Sequence, residues 1–427
     1  MKKLIGLILA LALICSMTAA LADPTRIDGL SDRGIKINDA GLNQDPQEMV
    51  DNGKGYSPTT GRKLDEIEVP DGFSGAAATG TYQPVMVQIS NASNGIGVTG
   101  KGKLYAIAPI NGSYADVVYE APQKSGGGES RMSMIFSDTI PDYVGFVRST
   151  RLTHCRIRQE WECALLTSGY STADVPDEWV RLGVKNPAGK RNAEDPGIVY
   201  VGDYPKVWHD YVWRLSGIKD ANSELFEAAK IADYIIPKDH KPANHTWKFT
   251  DELPAGGDSG EIIYVTLGNV NETDSRLEYQ EDLNAYIRYV AVQGQGDLPY
   301  REGVLINPAV GKVKDSNGAL IEKIIAEDRV PGEIITFNNV IIQSIDMQWR
   351  TGIRPDPVLT GKGNADYFMG GQHFAGVWER KDDNSRTVFY GADGNEIELQ
   401  RGRTLIILID YDENILNGKD KANVKYE

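Results

Sequence analysis

Cysteine is scarce in this chain of 427 residues, which holds only three. That number excludes a disulfide-framework scaffold and a multi-cysteine zinc ribbon. Positive charge is also short: 45 lysines and arginines face 60 acids, for a net charge of −15. No broad basic footprint is available for nucleic acid, and only local basic patches can meet an anion. The five histidines, at 154, 209, 240, 245 and 373, never fall at His-x-x-x-His spacing, so no zinc site and no other cofactor is expected. Asp410, Asp412 and Glu413 lack the twelve-residue ligand pattern of a calcium loop. Beyond the N-terminus no stretch approaches 18 apolar residues, so no transmembrane helix is expected in the mature chain. Internal repeats and heptads are absent.

What remains is a chain with 41% hydrophobic residues, enough for a sizeable core, and with 45 glycines and 20 prolines that favour many turns and a strand-rich fold. The length predicts two to three domains at roughly 150 residues each. Lys2 and Lys3 precede an apolar run from Leu4 to Ile14, and Ala20-Leu21-Ala22 follows. This is the grammar of a secretory signal, residues 1–22, cleaved after Ala22. Its removal takes two lysines and no acids, leaving 43 basic residues against 60 acidic, a balance of −17. Cys15 leaves with it, and the bulky Ile14 fits a lipid-attachment site poorly. Cys155 and Cys163 remain. On one continuous helix their Cα atoms would stand about 12 Å apart, too far to bridge, so a disulfide requires the chain to turn between them.

The pattern predicts an α+β protein. Residues 23–78 read as an irregular lead-in draped over the first domain. Residues 79–257 read as an α/β layered domain with a mixed sheet. Its strands are Pro84–Ser90, Ala115–Glu120, Arg131–Phe136, Tyr143–Val147 and Cys163–Thr167. Its helices run from Arg151 to about Trp161 and near 175–183 and 222–234. Residues 258–415 read as mostly β, with strands at Glu261–Thr266, Glu333–Thr336 and Asn339–Gln343. An antiparallel meander is expected to close this part through His373–Trp378, Arg386–Tyr390, Glu396–Leu399 and Thr404–Ile409, with Asp393-Gly394 as its hairpin signal. Residues 416–427 read as a polar tail.

The sharpest local feature is Gly145-Phe-Val-Arg148-Ser149-Thr150-Arg151. A strand delivers the chain to a helix start, where Ser149 or Thr150 is expected to cap. Free backbone N–H groups and two guanidiniums there suit a carboxylate or phosphate. The alternative is internal pairing of Arg148 and Arg151 with acids such as Asp116 or Glu120. Glu120 and Arg131 either face one cleft or form a cross-strand salt bridge. Lys124-Ser-Gly-Gly-Gly128 lacks the ending of a phosphate-cradling loop and reads as a hairpin tip. Gly257-Asp-Ser-Gly260 and Thr153-His-Cys155 resemble pieces of trypsin-like proteases. Glu261, however, puts charge where an oxyanion would develop, and the orienting acid segment is missing, so that reading is set aside. Trp208, Tyr211, Trp213, Trp247, Tyr279, Tyr286 and Trp378 mostly suit core packing, with a sugar-binding platform as the alternative.

Taken in order, Pro84-Val-Met-Val, Ala115-Asp-Val-Val-Tyr-Glu, the Gly-Gly before Arg131, and Gly145-Phe-Val-Arg-Ser-Thr-Arg151 resemble the YerB-like family. Tyr279…Tyr286-Ile-Arg288, Asn339-Val-Ile-Ile and Gly376-Val-Trp-Glu…Gly394-Asn-Glu-Ile resemble the family's second part. The resemblance implies a bacterial extracytoplasmic protein, often a lipoprotein, with a two-part domain of unknown function and a setting in peptidoglycan assembly. This chain departs from the pattern in three places. It lacks a good lipid-attachment cysteine, Gly126 stands where a glutamate precedes the glycine pair, and Pro242-Ala243-Asn244-His245 stands where a Pro-His-Asn triplet ends the first part. Two readings follow. One is a secreted, non-catalytic binding or accessory factor for a cell-wall polymer or an envelope protein. Its anion- or ligand-binding residues would be Arg148, Ser149 and Arg151, with Glu120, Arg131 and Asn244 as neighbours. The other is an envelope enzyme in which Arg148 and Arg151 clamp an anionic substrate and Glu120 or His245 serves as base. Binding is favoured because no nucleophile–base pair and no metal set emerges.

Overall fold

A computed structural model describes residues 24–427 except 39–44, 92–95, 99–103, 124–129, 192, 201–209, 215–223, 243–246, 268–274, 293–294, 315–316, 351–353 and 411–422. The expected signal therefore lies outside the described residues. Among those described, strands dominate, and no helix is long and apolar enough to cross a membrane.

One mixed sheet carries the fold. Its strands include β1 (Val85–Ser90), β2 (Val117–Pro122), β3 (Ser130–Phe136), β4 (Ala164–Thr167), β5 (Ile198–Tyr200), β6 (Asp258–Ser259), β7 (Asn339–Arg350), β8 (Gly361–Met369), β9 (Gln372–Arg380), β10 (Val388–Tyr390) and β11 (Thr404–Asp410). Their order across the sheet is β6-β9-β8-β7-β11-β2-β3-β1-β4-β5, with β10 on β9. Strands before and after residue 257 thus lie side by side in one sheet, joined where β11 pairs in parallel with β2.

β11 corrects the expected meander. Thr404–Asp410 does not close an antiparallel ribbon; it inserts in parallel between β7 and β2. Its sequence, Leu-Ile-Ile-Leu-Ile, is apolar at every position and fully covered. An unbroken apolar run of that kind suits a strand buried on both faces, as central parallel strands are. The hairpin of β9 with β10 forms as expected. Glu398–Gln400 instead pairs in parallel with Lys248–Thr250.

Two cores cover the sheet. On one face α1 (Leu152–Trp161) and α2 (Val175–Arg181) pack Cys155, Ile157, Trp161 and Trp179 against Met86, Tyr119, Ile135 and Leu165. On the other, α3 (Ala228–Ile235) packs Ile231 and Ile235 against Val85, Val87 and Phe136. The helix expected over 222–234 begins only at Ala228, because Glu224–Phe226 is a strand paired with Val144–Gly145. A second, antiparallel sheet joins Ile262–Thr266, Ser275–Gln280 and Ala285–Val292 to Asn423–Tyr426 and Thr25–Arg26. The end of the expected polar tail is therefore a strand, with Val424 and Tyr426 buried. Arg301–Lys314 and Leu320–Ile334 form a long hairpin that only its last residues announced in the sequence.

The lead-in also differs from expectation. Its early part lies on strands of the C-terminal half, where Arg33 Nη2 donates to both carboxylate oxygens of Asp366 at 3.0 and 2.8 Å. Its later part lies on the N-terminal half, where Thr60 Oγ1 donates to Asp138 at 2.7 Å. Asp138 and Asp116 are both buried, and Asp116 accepts from the Ser137 N–H at 2.6 Å and the Asp138 N–H at 2.9 Å. Burial, with the two carboxylates so close, pushes the pair above the usual carboxylate range.

Candidate functional site

The segment leading into α1 crosses the carboxyl ends of two parallel strands. Val147 bridges Ile89 of β1, and the Arg148 N–H donates to the Gln88 carbonyl at 2.7 Å. The Arg148 carbonyl accepts from Thr167 Oγ1 at 2.8 Å and from the Ser168 N–H at 3.1 Å, at the end of β4. The Thr150 N–H donates to the Gly169 carbonyl at 2.8 Å. These bonds fix Arg148–Arg151 where open sheets with parallel strands form their crevices.

Arg131 joins this edge from β3. It is buried, and its guanidinium donates to the Ser149 carbonyl. Arg151 Nη1 donates to the Thr150 carbonyl at 2.8 Å. Arg148, Ser149 and Arg151 are half-buried. The Arg131 guanidinium thus reaches the main chain of the Arg148–Arg151 segment at Ser149.

The cap differs from expectation. Neither Ser149 nor Thr150 caps α1. Thr150 Oγ1 donates to Thr167 Oγ1 at 3.0 Å, and the helix starts after Arg151, which has the extended backbone of a cap residue. His154 takes the acceptor role: its Nδ1 accepts from the Arg151 N–H at 2.9 Å. The ring is fully buried, and burial together with the Arg131 and Arg151 charges holds its pKa well below the usual value. The imidazole is neutral, with its proton assigned to Nε2 from the bond at Nδ1. Nε2 meets no hydrogen-bond partner among the described residues. Sequence reasoning missed this histidine because a ring three residues into a helix is not among the usual cap signals.

Glu120 does not belong to this edge. The β2–β3 register sets Arg131 opposite Ala121 and Glu120 opposite Met132, so the two side chains leave opposite faces of the sheet. Neither the shared cleft nor the cross-strand pair forms. Glu120 is fully buried on the other face, 3.0 Å from Arg288, and accepts from Asn91 and Ser130 at 2.7 Å each. Asp116, the other acid considered as a partner for the arginines, accepts from Ser137 and Asp138. Asn244, His245 and residues 124–128 lie outside the described residues.

The remaining candidates separate. Ser259 sits on β6 opposite Gln372 at the far margin of the sheet, whereas His154 lies on α1 and is engaged as a cap. Cys155 and Cys163 are free, buried thiols rather than a disulfide, and burial pushes Cys163 up to about 12. Trp247, Trp378 and Tyr286 are buried in the cores and form no platform. Trp208 lies outside the described residues.

Comparisons with known proteins agree with this architecture. Residues 73–235 match the family described as "Protein of unknown function (DUF3048) N-terminal domain". Residues 321–406 match the corresponding C-terminal domain. Among solved structures, the chain is similar to the crystal structure of the YerB protein from Bacillus subtilis. That similarity has a TM-score of 0.52 at 15% sequence identity and covers 86% of this chain and 99% of that one. The likeness is one of fold. No curated protein matches.

Proposed function

The chain belongs to the DUF3048 family of unknown function, and from that premise we propose that it is a secreted binding protein of the bacterial cell envelope. It is an accessory factor rather than an enzyme. It holds a carboxylate or phosphate group of a wall polymer, or of an envelope partner, at the edge formed by Arg131, Arg148, Ser149 and Arg151.

The observation that supports this reading is the Arg131 guanidinium reaching the Ser149 carbonyl where the main chain of Arg148–Arg151 crosses the carboxyl ends of β1 and β4. Two of the guanidiniums are oriented by main-chain carbonyls, and guanidinium planes held in place suit the fork of an oxyanion. The charged start of the chain, its apolar run and Ala20-Leu21-Ala22 support export, with a mature chain beginning at Asp23. The enzymatic reading loses its described base: Glu120 faces away from the arginines and is spent on Arg288.

The test is co-sedimentation of the mature protein with purified peptidoglycan sacculi at rising ionic strength. Binding is expected to fall with salt. Arg148→Ala with Arg151→Ala is expected to weaken it at least tenfold without changing thermal stability by more than a few degrees. Undiminished binding by that double variant would overturn the site. Arg131 is a poor choice for this test, because it is buried and its loss would disturb the fold.

A further inference from the structure

A second feature lies at the other margin of the central sheet. The described residues there surround a cleft of about 820 Å³. Its floor is the outer edge of β9. Along that edge β6 pairs only with Gln372 and His373, and β10 pairs only with Val377 to Glu379. Between them, at residues 374–376, no described strand pairs with this outer edge of β9. Amides alternate their direction along a strand. The Gly371 carbonyl accepts from the Gly260 N–H on this side at 2.9 Å. Ala375, four residues further on, therefore turns its N–H and C=O to the same side, into the cleft, and Ala375 is exposed.

The walls add chemistry to this gap. Phe374 and Ile397, both half-buried, are apolar lining residues. Glu252, Asp258 and Glu398 are exposed at the rim, and no lysine or arginine among the described residues forms an ion pair with them. The cation of the lining, Lys248, lies 4.0 Å from Glu396, a buried carboxylate that Arg386 also holds at 2.6 and 3.0 Å.

We propose that this cleft binds an extended, basic segment of polypeptide. The main chain of the segment pairs with Ala375, and its lysine or arginine side chains meet Glu252, Asp258 and Glu398. An unpaired strand edge is a template for an added strand, and main-chain bonds of that kind recognise polypeptide rather than any cation. The flanking strands limit the paired stretch to three residues, about 10 Å of extended chain. The surplus of acids over the whole chain steers a basic partner toward it. This site is separate from the guanidinium edge in place and opposite to it in charge.

The test uses the mature chain, residues 23–427, and a fluorescein-labelled peptide of alternating alanine and lysine, followed by anisotropy. Two control peptides carry glutamate for lysine, or the same lysines with every second amide N-methylated. The lysine peptide is expected to bind and the glutamate peptide not to bind. N-methylation is expected to cost at least tenfold with its charge unchanged. Asp258→Lys with Glu398→Lys is expected to cost about tenfold, with an unchanged melting temperature confirming the fold. Failure of the lysine peptide to bind overturns the proposal. So does equal binding of the N-methylated peptide, or displacement by spermidine or a glucosamine oligomer at matched charge, since each reduces the site to a general cation trap.

Discussion

The Glu120–Arg288 pair ties the two halves of the family fold together, and breaking it should be costly. Arg288 is 1% exposed and Glu120 is 0% exposed, with 3.0 Å between Nη2 and Oε2. Asn91 and Ser130 also donate to Glu120 Oε1, and the Arg288 guanidinium stands 5.3 Å from the Tyr300 ring. Glu120→Gln keeps the shape and removes the charge, leaving a guanidinium with no carboxylate in a dry site. Losing one partner of such a pair costs about 3–5 kcal/mol. For a chain of this size that corresponds to a fall in melting temperature of about 4–6 °C. Arg288→Met should cost a similar amount by stranding the carboxylate. The double variant, Glu120→Gln with Arg288→Met, should recover most of the loss, because a buried ion pair and a neutral, well-packed replacement are often close in energy. Urea unfolding of the four proteins at neutral pH closes the cycle. Single losses below about 1 kcal/mol, or additive losses in the double variant, would refute the reasoning.

Two further predictions concern pH. Asp116 and Asp138 have carboxyl pKa values raised in the folded chain, so the folded state binds more protons than the unfolded one and stability falls as pH rises from the unfolded carboxylate value toward neutrality. Asp138→Asn should flatten that fall in a series of melting temperatures from pH 4 to 7. His154 behaves in the opposite sense. Its pKa is depressed, so the unfolded chain takes up the proton first and stability falls as pH drops below the ordinary histidine value. His154→Gln should lower the melting temperature at pH 7.5 through the altered cap, yet lose less between pH 7.5 and 5 than the parent protein.

The sequence announced those elements whose pattern is local. β1, β2 and β3 are apolar runs bounded by turn residues, and α1 ends at Trp161 as its pattern predicts. The convergence of Arg131 with Arg148–Arg151 was also legible, because β3 and the loop are close in the chain and share an end of the sheet. Glu120 was misread because a shift of one residue in register decides which face a side chain takes, and only the paired strands fix that register. Its partner, Arg288, is 168 residues away and carries no local signal. β11 was recognised as a strand but misplaced, since an apolar run records burial on both faces and not the identity of its neighbours. The cleft beside β9 was invisible for a similar reason: its walls come from residues 248–258, 373–375 and 391–400, which only folding brings together.

The pairing of Thr25–Arg26 with Asn423–Tyr426 has a mechanical consequence. Thr25 lies directly opposite Tyr426, and Arg26 opposite Lys425, so the chain enters and leaves the second sheet at one corner. Tension applied before residue 24 and after residue 427 would load these pairs one at a time, as a zipper opens, and not all together as a sheared sheet resists. The first rupture would free Thr25–Arg26 alone, while Ile262–Thr266 kept its own ladder with Asn423–Tyr426 until the next step. A protein tethered at one end and gripped at the other would therefore release Thr25–Arg26 at low force, with the Arg33–Asp366 pair still holding the lead-in on the central sheet.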